Sequence, residues 1–178
     1  MSAGNKVWAE LVQLVPVVTL AFPFIVHGTV DLSLAGTGFL VAAISSLPLS
    51  LLVLWAKQPL NPILVGTAVW LWLGALAFNV PMPALAAWLT SSQAFGLFVG
   101  AFVAGVAATL FSPLGFLACR GVSGKLARRY SFVLLGLCAA CCLWSWSFRQ
   151  DVRLGGGLPF IVLNVARRVL GRRASRFE

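Results

Sequence analysis

Acidic side chains are nearly missing from this chain: Glu10, Asp31, Asp151 and Glu178 are the only four in 178 residues. No mutual pairing of ionisable groups for acid–base catalysis can be read from them. His27 is the only histidine, so a multi-histidine metal site within one chain is excluded. No c-type haem attachment motif accompanies it, which leaves at most one axial ligand to a haem or chlorin. Neither a metal nor a cofactor is expected, and His27 reads as a residue of the lipid–water boundary. Charged residues make up only 10% of the chain, against about a quarter in an ordinary soluble domain. An ordinary water-soluble enzyme is therefore excluded.

Cysteines are few as well. Three of the four, Cys138, Cys141 and Cys142, fall inside one apolar stretch, and Cys119 lies just beyond another. That distribution offers no disulfide framework in the loops. Cys138 and Cys141 do have the C-x-x-C spacing of thiol–disulfide exchange. A thiolate is disfavoured in the middle of a span, however, and a second, loop-borne pair to relay electrons is missing. The cysteines are expected to pack.

Long apolar runs are what the chain has in quantity. Five stretches, residues 7–27, 34–55, 60–78, 94–112 and 130–148, carry most of its mean hydropathy of +0.97. A bilayer core about 30 Å thick needs roughly 20 apolar residues of helix, and each stretch approaches that length. The expected fold is all-α: a polytopic transmembrane helical bundle of five to six spans with a basic amphipathic C-terminal segment. The bundle is expected over residues 1–153 and the basic segment over 154–178. The first stretch is long for a signal core and no small-x-small cleavage site follows it, so it is expected to stay as a membrane helix.

The net charge of +9 does not point to nucleic acid, because the basic residues flank apolar segments. Anionic lipid headgroups attract such residues by about 1 kcal/mol each near the surface. Short loops rich in Lys and Arg stay on the cytoplasmic side. With five crossings, Lys6, Lys57, Arg120, Lys125, Arg128 and Arg129 oppose seven arginines, and no side is favoured. A sixth crossing over residues 154–170 changes the tally to eleven against two, with only Arg149 and Arg153 outside. That asymmetry favours six crossings with both termini in the cytoplasm, and the expected location is a bacterial-type inner membrane.

Length argues against the sixth crossing. Residues 154–166 give only about 20 Å of helix. Their pattern also suits a helix lying in the interface, with Leu158, Ile161, Val162, Val165, Ala166, Val169 and Leu170 on one face. Arg167, Arg168, Arg172 and Arg173 are then expected at lipid headgroups, and Gly155, Gly156, Gly157 and Pro159 in a flexible lead-in.

Gly96, Gly100, Ala104 and Ala108 recur four residues apart in the fourth stretch. Small-residue rows let helix backbones approach closely, which is how spans associate without a hydrophobic drive between them. Packing within the bundle is the first reading and a homo-oligomer seam the second; Ala101 and Gly105 add a parallel row. Glu10 and Gln13 share a face of the first stretch, ahead of Pro16 and Pro23. A carboxylate in a membrane faces a polar partner or cavity, or reaches the headgroups from a helix end. Trp8, Trp55, Trp88, Trp144 and Trp146 sit near segment ends, as an interfacial aromatic belt requires. Only Trp70 and Trp72 lie mid-span. The run Gly121-Val122-Ser123-Gly124-Lys125 lacks the spacing and the following Ser or Thr of a nucleotide-binding phosphate loop. After the third stretch, residues 84–88 read as a short interfacial helix and Thr90-Ser91-Ser92-Gln93 as the polar start of the fourth span.

Two motifs carry a family resemblance. Leu14-Val15-Pro16-Val17-Val18 opens the first stretch, and Leu73-Gly74-Ala75-Leu76-Ala77-Phe78-Asn79 closes the third. With the size and the span layout over residues 11–110, they resemble the intracellular septation protein A family of small bacterial inner-membrane proteins. The chain departs from that family in the connection after the third stretch, which is apolar and proline-containing here and usually charged there. The resemblance implies a non-catalytic role in envelope maintenance or division, exercised through partner proteins, and assigns no functional residue.

The expected function is that of a non-enzymatic inner-membrane protein contacting anionic lipid and other membrane proteins, or copies of itself, in envelope maintenance or a larger membrane complex. A small-solute transporter component or channel is the alternative, with Glu10, Gln13, Trp70 and Asn79 as its polar pathway. An intramembrane thiol enzyme built on Cys138 and Cys141 comes third.

Overall fold

The computed structural model describes residues 32–55, 59–119, 122–151 and 153–175. Every regular element among them is helical, and no strand occurs there. In chain order they are α1 (Leu32–Trp55), α2 (Pro62–Asn79), α3 (Pro83–Ser92), α4 (Phe95–Phe111), α5 (Gly124–Ser147) and α6 (Leu158–Ala174), the last preceded by a π-helical turn, Arg153–Gly157. Three segments are long and apolar enough to cross a membrane: Gly36–Trp55, Pro62–Asn79 and Gly124–Ser147. Taken as one broken span, α3 and α4 make a fourth.

Local chemistry explains several boundaries. Asn61 precedes Pro62, and its side-chain oxygen accepts from the Ile63 N–H at 3.2 Å while its carbonyl accepts from Leu64 and Val65. Asn as N-cap and Pro in the first position start α2 without leaving an orphan donor. Pro48 lies inside α1, where it removes a backbone donor. Around it the hydroxyls of Ser45, Ser46 and Ser50 donate to carbonyls of their own helix. Thr90, Ser91 and Ser92 end α3 rather than opening α4, because Gln93 adopts a positive φ of 44° and breaks the run. The α5 helix begins at Gly124, so Lys125, Arg128 and Arg129 occupy its first turns and not a loop.

The described residues pack as two units. One holds those up to Leu60 together with Ala68–Thr90; the other holds Asn61–Thr67 and everything from Ser91 onward.

In the first unit α1 and α2 are joined by aromatic packing over a glycine. A Cβ on Gly74 would overlap the Phe39 ring. With that space open, Phe39 stacks on Phe78 at 5.6 Å and meets Trp70 edge-on at 4.9 Å. The other side of α1 presents Leu40, Val41, Ile44, Leu47, Leu51 and Leu52 outward. An apolar face of that extent is foreign to a water-soluble monomer and suits contact with lipid.

The second unit has a closed core. Ile63, Phe98, Ala101, Phe116, Leu134, Cys138 and Leu163 have no exposed surface. Phe116 and Leu117 come from the connection between α4 and α5, which turns inward at Gly115 (φ 57°) and Ala118 (φ 49°). Ser131 fixes that connection: its hydroxyl accepts from the Leu117 N–H and donates to the Ala127 carbonyl. The α6 helix packs along α5.

Candidate functional site

The sequence-predicted positions fall into three groups. Glu10 and Gln13, with Pro16, Pro23 and His27, lie outside the described residues. Trp70 and Asn79 lie in the first unit. Trp70 is buried against Phe39, and its indole nitrogen finds no acceptor among the described residues. The Asn79 amide donates to the Gly36 carbonyl of α1 at 3.1 Å and to the Ala75 carbonyl of its own helix at 2.9 Å. It clasps the two helices together at their ends.

The remaining positions lie in the second unit, where the small residues of α4 divide their work. A Cβ on Gly66 of α2 would collide with the Gly100 carbonyl group and the Ala101 Cα, and one on Gly100 would sit 2.7 Å from the Gly66 oxygen. The two backbones therefore touch at this crossing. Gly96 is buried, while Ala104 and Ala108 are only half-buried. The fully enclosed row is instead Ala101, Gly105 and Thr109, with the Phe116 ring in the space a Gly105 side chain would take. A row of residues four apart drifts about 40° per step around a helix of 3.6 residues per turn. The row from Gly96 accordingly rotates out of the contact as the neighbouring row rotates in. Sequence reasoning missed Gly66, the other half of the closest approach. Its only signal was a lone glycine in an apolar span.

The cysteines are enclosed by carbonyls. Cys138 Sγ lies 3.8 Å from the Phe98 oxygen and Cys141 Sγ lies 3.7 Å from the Pro159 oxygen, so each thiol is a weak donor to a neighbouring helix. All four cysteines are free thiols. Among the described residues no group of three or more His, Cys, Asp or Glu side chains could hold a metal ion.

At the turn between α5 and α6, Asp151 organises the backbone. Its carboxylate accepts from the N–H groups of Arg153 at 2.8 Å and Leu154 at 3.1 Å. Gly155 lies so close to the Phe148 carbonyl that any side chain would intrude. Residues 155–157, expected as a flexible lead-in, therefore form a helical turn continuous with α6. The Trp144 indole donates to the Leu154 carbonyl at 3.0 Å, and the Arg149 guanidinium lies 4.7 Å from the centre of the Trp146 ring.

The arginines of α6 do not share one environment. Arg168, Arg172 and Arg173 are exposed. Arg167, expected at the headgroups with them, is buried at 8% exposure, in line with Pro159, Leu163, Gly171 and Ala174. Outward in its place come Leu158, Ile161, Val162, Val165 and Val169. The greasy face thus looks away from the protein, and the face that carries Leu163, Arg167 and Gly171 packs inward.

Comparison of the chain with protein-family models, curated proteins and solved structures gave no match.

Proposed function

We propose that this chain is a non-enzymatic, multi-pass protein of a bacterial-type inner membrane that works by packing against other membrane proteins, in envelope maintenance or within a larger membrane complex. The observation that carries this reading is the closed core of the second unit. Three of its buried hydroxyls, those of Thr67, Thr109 and Ser131, donate to a carbonyl of their own helix, and only that of Ser145 finds no acceptor among the described residues. Hydroxyls satisfied in this way by their own helix do not converge on a solute. The likeness of residues 14–18 and 73–79 to the septation protein A family supports the same role. Anionic headgroups and partner proteins are its expected contacts.

Six crossings with both termini in the cytoplasm suit the chain best. The tally of basic residues supports the sixth crossing, and residues 153–174 run as one helical segment of about 30 Å, of which residues 154–166, about 20 Å, carry no arginine. Its outward Leu158, Ile161, Val165 and Val169 offer lipid an apolar surface. Tagged protein purified in mild detergent, with and without prior crosslinking in cells, tests the role. A defined membrane partner in near-equal amount is expected; recovery of the chain alone under both conditions removes the reading.

One observation favours the transporter alternative. The buried Trp70 nitrogen is a donor with no acceptor among the described residues, as a solute-binding group would be. Glu10→Gln in reconstituted vesicles separates the two readings: transport predicts solute or proton flux that this substitution abolishes, whereas the packing role predicts no flux from either protein.

A further inference from the structure

The three long helices of the second unit are all short for a membrane. The α4 helix has 17 residues, about 25 Å of rise against a bilayer core of about 30 Å. The α5 helix is longer, but its first turns carry the exposed Lys125, Arg128 and Arg129, and its last turn the exposed Trp144 and Trp146. Cations and tryptophans belong at the headgroup level. What remains for acyl chains is residues 130–143, about 21 Å. The segment that ends in α6 begins at the exposed Arg153, and the next exposed cation is Arg168. Residues 154–167 between them also span only about 20 Å.

Packing brings the two bands to the same depth. The Cys141 thiol lies 3.7 Å from the Pro159 carbonyl oxygen, and the Trp144 indole donates to the Leu154 carbonyl at 3.0 Å. The helices therefore run antiparallel, with Trp144 level with the start of the α6 band. The same register puts Arg168 within about one turn of Arg129 at the other end. Between these limits the outward side chains are apolar: Phe132, Val133 and Leu143 on α5, and Leu158, Ile161 and Val165 on α6. Two adjacent helices thus present one girdle of one height. Arginine side chains recover part of the deficit by snorkelling at their end, whereas the tryptophans fix the other. A protein whose girdle is shorter than the surrounding bilayer thins that bilayer, or sorts to where it is already thin. We propose that the second unit is fitted to a thin bilayer, and that its lipid partners are phospholipids of short acyl chain. The α6 half of the girdle rests on the sixth crossing proposed above; the α5 half does not.

All four cysteines lie in the second unit, so a thiol-reactive dye that fluoresces on coupling reads the unfolding of this unit alone. Full-length protein is reconstituted in monounsaturated phosphatidylcholines of about 14 to 22 carbons per chain and heated with the dye. The unfolding midpoint should be highest at about 14 to 16 carbons and fall by about 5 °C or more toward the longest chains. Replacing Arg128→Leu, Arg129→Leu and Arg168→Leu together lengthens both bands by about a turn and should move the optimum to longer chains. Arg128→Lys, Arg129→Lys and Arg168→Lys together keep the charges and should leave it in place. Three results overturn the inference: an optimum at about 18 carbons or above for the unmodified chain, a midpoint indifferent to chain length, or a folded leucine variant with an unmoved optimum. If the leucine variant does not fold, the optimum of the unmodified chain decides. A reporter fused after Glu178 reads the side of the tail independently of chain length, so failure of the sixth crossing is told apart from failure of the short girdle.

Discussion

Single residues decide how closely these helices approach. Apolar burial drives little association in lipid, because tails are as apolar as leucine, and dispersion at short range matters more. Gly66 and Gly100 provide that range. Gly66→Ala forces a methyl into the Gly100 carbonyl and should cost about 3 kcal/mol. Gly136→Ala on the outer face of α5, where a Cβ meets nothing within 4 Å, should be neutral or stabilise by up to about 1 kcal/mol. Thermal unfolding in detergent reads both, and equal midpoints for the two variants would remove the close crossing from the account. The need for small residues on α4 was legible in the sequence. Which of its two rows is enclosed was not, because the choice depends on where Gly66 arrives from 34 residues earlier in the chain. Arg167 was illegible for a related reason: helical periodicity assigns a residue to a face but does not say which face meets protein and which meets lipid.

Among the elements, hydropathy located α1, α2 and α4 to within two residues at each end, and it missed the start of α5. It measures the length that suits lipid, whereas the helix itself continues wherever the backbone permits. Thus α5 begins six residues before Tyr130, through Lys125, Leu126, Ala127, Arg128 and Arg129, all good helix formers. The glycines at 155–157 suggested a break. They stay helical because Gly155 lets the chain pass against the Phe148 carbonyl and Asp151 satisfies two amides of the turn. Asp151→Ala should therefore loosen the π-helical turn by about 1 kcal/mol, as loss of an N-cap does. Hydrogen exchange at the Arg153 and Leu154 amides should accelerate, while that of the α5 core should not. Unchanged protection at both amides would mean that Asp151 does not hold the turn.

At the scale of the whole molecule, the scarcity of charge and the long apolar runs made the all-α, membrane-suited class plain from the sequence. The number of crossings depends on the last helix. A cytoplasmic-activity reporter fused after Glu178 should be active if residues 153–174 cross; activity of a periplasm-specific reporter at that point would mean that this helix stays on the side where α5 ends. Neither result alters the packing of α6 on α5, which brings Pro159 to Cys141 and Leu163 into the core.

The proposed role rests on helices that close against one another and leave no water between them, and the native thiols report on this directly. Cys138 has no exposed surface and Cys141 only 5%. Both should resist a small, water-soluble methanethiosulfonate for hours in intact vesicles and react at once after unfolding. Rapid modification of Cys138 in the folded protein, at a rate near that of a surface cysteine, would place water at the centre of the bundle and contradict the account.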